Sequence, residues 1–178
     1  VGGGLRVMLA TRHLPLKEVP GAITKEVVRE AVEVAYEGVG LVGGGQRSIG
    51  VGGLNPHAGD GGALGLEEKT ILNPVLRALA KKGMPVSMAL PADTLFHQAL
   101  RGEYEAVVAM YHDQGLAPLK MMGFDEGINL TLGLPIVRTS PDHGTAFGLA
   151  GEGMASAKSM REAIRLAVRL ANRKNPWI

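Results

Sequence analysis

The sequence contains no cysteine, which excludes disulfide bonds, a catalytic thiolate and sulfur-ligated metal sites within the chain. This absence fits a reducing compartment, and we expect a cytoplasmic location. The net charge is only +2, from 19 basic and 17 acidic residues, and the bases form no clustered stripe. Nucleic acid is therefore not expected as a partner. No apolar run approaches the roughly 20 residues of a membrane-spanning helix, so no membrane partner is expected.

The chain also lacks an initiator methionine and begins at Val1, directly before a strand-like segment. A trimmed N-terminus and a fragment of a longer protein both fit this start. The first residues have no basic region of the kind that opens a signal peptide. The 178 residues have the length of one domain, and a hydrophobic share of 46% is typical of a folded core.

Glycine is in excess, with 26 among 178 residues, about twice the usual share. The glycines follow no three-residue period, which excludes collagen. Ten of them fall between Gly43 and Gly65, around His57, where backbone amides without side chains can approach a ligand closely. The common phosphate-binding and dinucleotide-binding glycine motifs are not found, so a nucleotide would be held in another way.

Apolar periodicity predicts strands that alternate with helices. The predicted strands are Leu5–Ala10, Ser48–Gly52, Pro85–Ala89, Ala106–Met110, Ile128–Thr131 and Ile136–Arg138. The predicted helices are Thr24–Glu37, Leu66–Lys82 with a break at Asn73-Pro74, Ala92–Arg101 and Met154–Arg173. This order indicates an α/β sheet with helices on both faces, and an antiparallel pairing of the last two strands is open.

Two other segments carry expectations about packing. The glycine-rich segment 38–53 is expected to be a loop, and the last helix is expected to place one apolar stripe on a single face. That stripe consists of Met160, Ile164, Ala167, Val168 and Ala171.

Three histidines follow predicted strands: His13, His57 and His112. The carboxyl ends of strands line the ligand crevice of an open α/β sheet, so these loops are expected to present imidazoles to one point. Neutral imidazoles suit a divalent transition ion, and Asp93 and Asp113 are placed to complete or orient such a site. The alternative for each histidine is a simple hydrogen bond to its own loop.

Lys120, Asn129 and Arg138 lie nine residues apart, near the ends of successive elements. Two cations and an amide suit a phosphate or carboxylate ligand. The alternative is that each is an ordinary solvated surface group.

Several motifs span nearly the whole chain. They are residues 11–16 (TRHLPL), 53–59 (GLNPHAG), 91–96 (PADTLF), 110–116 (MYHDQGL), 129–135 (NLTLGLP), 138–140 (RTS) and 142–146 (DHGTA). In this order they resemble the 4-hydroxythreonine-4-phosphate dehydrogenase (PdxA) family of pyridoxal phosphate biosynthesis.

The resemblance implies a role for each candidate residue. His13, His57 and His112 match the divalent-metal ligands of the family, which come from both subunits of a homodimer. Lys120, Asn129 and Arg138 match substrate-binding positions, and Asp93, Asp113 and Lys120 are the catalytic candidates. The segment His143, Gly144 and Thr145 matches the nucleotide loop of the related isocitrate and isopropylmalate dehydrogenases.

The implied cofactors are NAD or NADP and one divalent ion. The histidine ligands do not indicate which of zinc, magnesium, cobalt and manganese is bound. The implied fold is that of isocitrate and isopropylmalate dehydrogenases. Residues 1–153 would be the metal-binding, substrate-binding and dimer-forming domain of a two-domain enzyme. Residues 154–178 would form a helix that packs on an N-terminal domain preceding Val1, because family members are roughly twice as long.

The implied reaction is the NAD-dependent oxidation and decarboxylation of 4-phosphooxy-L-threonine to 3-amino-2-oxopropyl phosphate in vitamin B6 biosynthesis. Two alternatives are open. The chain belongs to a related dehydrogenase for another phosphorylated hydroxy acid, such as 4-phosphothreonate, or it is a metal-binding dimerisation domain without complete catalytic machinery.

Overall fold

A computed structural model describes residues 1–42, 45 and 47–172. The chain divides into two compact units, one of residues 5–118 and the other of residues 1–4 with 119 onward. This division does not coincide with the predicted boundary after residue 153. Arg173, the predicted last residue of the final helix, and the rest of segment 173–178 lie outside the described residues. No helix in the described part is both long and apolar enough to cross a membrane.

The first unit contains a sheet of four parallel strands, in the spatial order β1-β4-β2-β3. The strands are β1 Val7–Leu9, β2 Ile49–Gly52, β3 Val86–Leu90 and β4 Ala106–Ala109. Each was predicted from the sequence, with bounds that differ by one or two residues. Because all four strands are parallel, their carboxyl ends lie at the same edge of the sheet.

The helices between these strands are α1 Val19–Ala22, α2 Lys25–Val42, α3 Asn73–Lys81 and α4 Ala92–Leu100. Helix α2 begins after Thr24, whose hydroxyl accepts a hydrogen bond from the Val27 N–H at 3.2 Å, which satisfies a free donor of the first turn. The predicted break at Asn73-Pro74 is confirmed, because a π-helical turn, Glu68–Leu72, ends where α3 begins.

Helix α2 continues past its predicted end at Glu37. Gly38 and Val39 are buried within it, because Val39 extends the apolar face that includes Val32 and Ala35. The expectation of a loop over 38–53 is therefore wrong at residues 38–42 and within β2.

Helices cover both faces of this sheet, as predicted. Helices α2 and α3 form the larger core with Ile49, Val51 and Val108, all fully buried. Helix α4 forms the smaller core on the other face, where Leu95 and Phe96 pack with Val107. The neighbours Val107 and Val108 belong to different cores because successive side chains of a strand point to opposite faces.

The second unit contains an antiparallel pair, β5 Ile128–Thr131 and β6 Arg138–Pro141. The antiparallel arrangement answers the question that the sequence left open. Strand β6 begins where the predicted strand 136–138 ends, and Ile136 is exposed before it. The segment around Gly133 and Pro135, which cannot donate to a ladder, forms the connection between the strands.

Helix α5, His112–Gly123, begins in the first unit and ends in the second; the sequence analysis did not predict it. Helix α6, Lys158–Ala171, packs against β5 and β6. The hydroxyl of Thr139 donates to the carbonyl of Ala163 at 2.9 Å, and the buried Ser159 hydroxyl donates to the carbonyl of Gly127.

The expected apolar stripe of α6 is not the buried one. Ala163, Leu166 and Leu170 are buried, whereas Met160, Ile164 and Val168 are about half exposed. The helix therefore carries two adjacent apolar faces, of which only one is covered within this unit. Sequence periodicity selected the uncovered face because both faces have the same spacing.

Gly50 supports a prediction about the close packing of β2 on α4. A Cβ atom at this position would lie 2.6 Å from Leu95 Cδ1 and 2.8 Å from Tyr104 Cγ. We expect Gly50→Ala to lower the free energy of unfolding by about 1–3 kcal/mol, because overpacking forces neighbouring side chains to move. Urea denaturation measures this change.

Gly21→Ala is the matched control, because an added Cβ at Gly21 in α1 meets no atom within 4 Å. Its free energy of unfolding is expected to stay within about 0.5 kcal/mol of the parent or to rise slightly. Equal losses in the two variants would contradict close packing at Gly50.

Candidate functional site

Four of the predicted site residues follow the carboxyl ends of the parallel strands. His13 lies four residues after β1, His57 five residues after β2, Asp93 three residues after β3 and His112 three residues after β4. Strand β4 lies between β1 and β2 in the sheet. The His112 loop therefore has the His13 loop on one side and the His57 loop on the other.

His13 and His112 are brought together. Their ring centroids are 5.3 Å apart, and the ring planes are tilted by 44°. They line a cavity of about 340 Å³, to which Arg12, Tyr111 and Asp113 also contribute. Apart from Asp113, the sequence analysis named none of the other lining residues as site residues; two of them, Arg12 and Tyr111, each directly precede one of the histidines, and the rest are Leu14, Leu16 and Val19.

Asp113 orients the ring of His112. Its Oδ1 lies 2.7 Å from His112 Nδ1. An ionised carboxylate only accepts hydrogen bonds, so Nδ1 is the donor in this contact, and the tautomer that it favours has its lone pair on Nε2. This is the usual arrangement of a metal-binding histidine and its supporting carboxylate. Asp113 itself is largely exposed, and His112 is about one third exposed.

His112 is the first residue of helix α5. The expectation that it sits in a loop is therefore wrong in detail. The segment after β4 contains Gly115 and Pro118, which conceal the helix in a sequence pattern, yet the helix forms and places His112 at its start.

His57 lies in a loop of unusual backbone conformation. Six successive residues, 57–62, have positive φ, and His57 itself has φ 52° and ψ 29°. For the non-glycine residues His57, Ala58 and Asp60 this left-handed conformation costs roughly 1–2 kcal/mol each. Such a loop persists only if surrounding contacts hold it. His57 is exposed.

One chain does not assemble the predicted triad. In the described part of the chain, no three histidine, aspartate or glutamate side chains are close enough together to hold a metal ion. The structure thus pairs His13 with His112 within one chain, and the third ligand stays a prediction. Asp93 is the second residue of α4 and is exposed.

Gln114 ties the loops of two histidines together, and the sequence analysis missed it. Its Oε1 accepts a hydrogen bond from the Met110 N–H, and its Nε2 donates to the carbonyl of Gly53, both at 2.7 Å. Met110 directly follows β4, and Gly53 begins the loop that contains His57. The available sequence signal was the place of Gln114 in the motif MYHDQGL, two residues after His112.

Three other predicted residues lie in the second unit: Lys120 in the last turns of α5, Asn129 on β5 and Arg138 at the start of β6. Arg138 pairs with Thr131 in the strand register and donates to its hydroxyl at 2.7 Å. Side chains of paired residues, and those two apart on a strand, share a face. Asn129 and Arg138 therefore share one face of the pair.

The opposite face of this pair is covered by α6. Thr139 bonds to that helix, and Ile128, which shares the Thr139 face, is buried. The face with Asn129 and Arg138 is left accessible, and both residues are exposed. Lys120 is half-buried.

The predicted nucleotide loop follows β6. His143, Gly144 and Thr145 are exposed, and the Nδ1 atom of His143 lies 3.0 Å from the carbonyl of Gly144. Ala146, which follows, has a positive φ of 50°.

Comparison with known proteins identifies close similarity to one family. A family model described as pyridoxal phosphate biosynthetic protein PdxA matches residues 1–167. A 4-hydroxythreonine-4-phosphate dehydrogenase of Roseobacter denitrificans is 51% identical over 176 residues. That match covers 95% of this chain and 52% of the relative. The chain spans about half the length of the curated relatives it matches.

Solved structures agree on the fold. The crystal structure of 4-hydroxythreonine-4-phosphate dehydrogenase from Klebsiella pneumoniae has a TM-score of 0.85 at 43% identity, covering 94% of this chain and 51% of that one. A terephthalate 1,2-cis-dihydrodioldehydrogenase from Burkholderia xenovorans LB400 has a TM-score of 0.77 at 34% identity, covering 95% of this chain and 54% of that one.

The two hydrogen bonds of Gln114 support a prediction about stability at the carboxyl edge of the sheet. Gln114→Met keeps the length of the side chain but leaves the buried Met110 N–H and Gly53 carbonyl without their partner. Each unsatisfied buried group costs about 1–3 kcal/mol, so we expect a clear fall in the free energy of unfolding. Urea denaturation measures it.

Gln98→Met is the control for this substitution. Gln98 Oε1 is buried without a hydrogen-bond partner among the described residues, so its replacement is expected to change the free energy of unfolding by less than about 0.5 kcal/mol. A Gln114→Met variant as stable as the control would contradict the bridging role.

Proposed function

Because the chain belongs to the PdxA family of pyridoxal phosphate biosynthetic proteins, we propose that it forms the metal-binding and substrate-binding part of a 4-hydroxythreonine-4-phosphate dehydrogenase. The relatives with that name extend over about twice the length of this chain. The activity we propose is therefore that of the enzyme to which this part contributes.

The observation that carries the proposal is the pairing of His13 with His112. The two ring centroids are 5.3 Å apart at the edge where β1 and β4 end, and the contact of Asp113 with Nδ1 leaves Nε2 of His112 as the nitrogen for a metal ion. Two imidazoles of this kind fit a divalent transition ion. We assign the third ligand to His57 of a second copy, which agrees with the lack of a three-residue cluster in the described part of one chain.

A divalent ion held by these histidines would supply Lewis-acid stabilisation of negative charge on a substrate oxygen. Zinc, magnesium, cobalt and manganese are the candidates. Asp113 acts here as a positioning residue, because it contacts His112. Asp93 stays a proposed catalytic residue, at the start of α4 on the same edge of the sheet.

Asn129 and Arg138 are proposed to bind the anionic groups of the substrate. They share the accessible face of the β5–β6 pair, and the guanidinium of Arg138 is held in place by the Thr131 hydroxyl. Arginine presents paired donors that match phosphate and carboxylate oxygens. Lys120 is proposed to add a second cation, with a catalytic contribution through substrate contact. These groups fix the substrate, which is the positioning that hydride transfer requires.

The proposed reaction oxidises the secondary hydroxyl of 4-phosphooxy-L-threonine. Bound NAD or NADP would supply the hydride acceptor for this carbon, a base would take the hydroxyl proton, and the product would be a 3-oxo acid. Loss of carbon dioxide from this acid and protonation then give 3-amino-2-oxopropyl phosphate. We assign the nucleotide contact to the exposed loop of His143, Gly144 and Thr145, in a homodimer located in the cytoplasm.

A second candidate is the oxidation of another hydroxylated acid by the same site, for example 4-phosphothreonate. The observation in its favour is the similarity to a dehydrogenase that is named for a terephthalate dihydrodiol. Proteins with this fold are thus named for more than one substrate. A third candidate is a metal-binding dimerisation domain that catalyses no reaction by itself.

The reaction is tested by NADH formation from 4-phosphooxy-L-threonine and, in parallel, from 4-phosphothreonate. We expect a chain extended upstream in its own reading frame to prefer the first substrate in kcat/KM. We expect the 178-residue chain alone to form NADH far more slowly, because it corresponds to only about half of the length of the relatives with that name. Preference for 4-phosphothreonate would favour the second candidate, and inactivity of both forms the third.

The metal site is tested by elemental analysis and Co²⁺ titration of single variants. His13→Ala, His57→Ala and His112→Ala are each expected to weaken Co²⁺ binding by at least about 10–100-fold, the range seen when even supporting groups are lost. His97→Ala is the control, because His97 is exposed on α4, outside the proposed triad. Unchanged metal content in His57→Ala would contradict the triad.

Mixing variants tests whether the site is shared between copies. A mixed dimer of His13→Ala and His57→Ala chains retains one complete site, since the intact pair of one copy meets the intact His57 of the other. A mixture of His13→Ala and His112→Ala chains retains none. Rescue in the second mixture, or its absence in the first, would contradict the proposed division of ligands.

A further inference from the structure

Glu68 is a buried carboxylate next to the His57 loop. It is 3% exposed and begins the π-helical turn Glu68–Leu72. Its Oε1 accepts a hydrogen bond from the Asn55 N–H at 2.7 Å, and its Oε2 accepts one from Asn55 Nδ2 at 3.0 Å. A buried charge is costly unless it is hydrogen-bonded, so the carboxylate and Asn55 hold each other in place.

Glu67 reinforces the same contact from the neighbouring position. Its Oε2 accepts a hydrogen bond from Asn55 Nδ2 at 2.8 Å. This bond is the main cause that lowers the pKa of Glu67 below its ordinary value. The Asn55 side chain is thus held by two adjacent carboxylates.

Glu68 also contacts the far side of the loop. A Cβ atom at Gly59 would lie only 2.6 Å from Glu68 Oε2, so the carboxylate rests directly against the backbone there. Gly59 has a φ of 82°, and its carbonyl accepts a hydrogen bond from the Leu64 N–H at 3.1 Å. The carboxylate therefore touches the loop two residues before His57 and two residues after it.

The loop needs such a brace because its left-handed run is unfavourable for residues with side chains. We propose that Glu68 is a positioning residue for the metal site: by holding Asn55 and Gly59 it fixes the direction in which His57 leaves the surface toward a second copy. This inference rests on the proposed metal-binding function. It assigns to Glu68 a role that reaches the metal only through His57.

The test is Co²⁺ titration of the 178-residue chain by calorimetry. Glu68→Gln keeps the shape of the side chain. Its NH₂ group cannot accept a hydrogen bond, so the amide can replace only one of the two acceptors that serve the N–H and Nδ2 groups of Asn55. We expect Co²⁺ to bind about 10–100-fold more weakly, as when a supporting group of a metal ligand is lost. Glu30→Gln, an exposed position on α2, is the control and is expected to bind as the parent does.

A double-mutant cycle separates positioning from a general structural effect. On the His57→Ala background, Glu68→Gln is expected to weaken Co²⁺ binding by less than about threefold, since its route to the metal is already removed. If Glu68→Gln weakened Co²⁺ binding by the same factor in the parent chain and in the His57→Ala chain, the proposal would be overturned. Unchanged Co²⁺ affinity in the single variant Glu68→Gln would also overturn it.

Asn55→Ser is a second variant for the case in which Glu68→Gln does not fold, as judged by circular dichroism. This variant removes the Nδ2 donor and keeps the backbone N–H. We expect Asn55→Ser to weaken Co²⁺ binding less than Glu68→Gln would. Unchanged Co²⁺ affinity in Asn55→Ser would overturn the proposal.

If the parent chain binds no Co²⁺, the proposed function fails, and Glu68 is judged by hydrogen exchange alone. The amides of residues 56–62 are then expected to exchange at least about tenfold faster in Glu68→Gln than in Glu30→Gln. Equal exchange in the two variants overturns the role of Glu68.

Discussion

The parallel pairing of β1, β4, β2 and β3 is the constraint on which the first unit depends. Parallel pairing places every carboxyl end at one edge, so each segment that follows a strand begins at that edge. The strand order then decides which loops are neighbours. His13 and His112 meet because β1 and β4 are paired, although almost one hundred residues separate them in the chain.

Small polar contacts fix the positions of loops and side chains at this common edge. Gln114 joins the end of β4 to the loop after β2, Asp113 sets the ring of His112, and Glu68 holds the loop of His57. Each of these residues lies outside the predicted triad but next to an element that carries one of its members. The site depends on backbone groups and carboxylates as much as on the imidazoles.

The sequence predicted the elements well where apolar periodicity was unbroken, as in α2 and the four parallel strands. The prediction failed where helix-breaking residues lie within a helix and where two faces of one helix have the same apolar spacing. Helix α5 was missed because Gly115 and Pro118 lie within it, and the buried face of α6 was misassigned because two faces share the same spacing. Motifs identified His13, His57 and His112, but periodicity contains no information about side chains that act through a neighbour. Gln114 and Glu68 were therefore found only from their contacts.

The run of positive φ angles from His57 to Gly62 has a consequence for sequence variation. Over residues 57–61 the backbone is a short piece of mirror-image helix, the hand that D-amino acids favour. Natural substitution cannot supply that chirality, and glycine is the residue that tolerates it without penalty. Glycine occupies three positions of this run, 59, 61 and 62, whereas His57, Ala58 and Asp60 adopt the same hand with L-side chains. Exchange of those three residues for glycine would therefore relieve backbone strain while removing the imidazole at position 57.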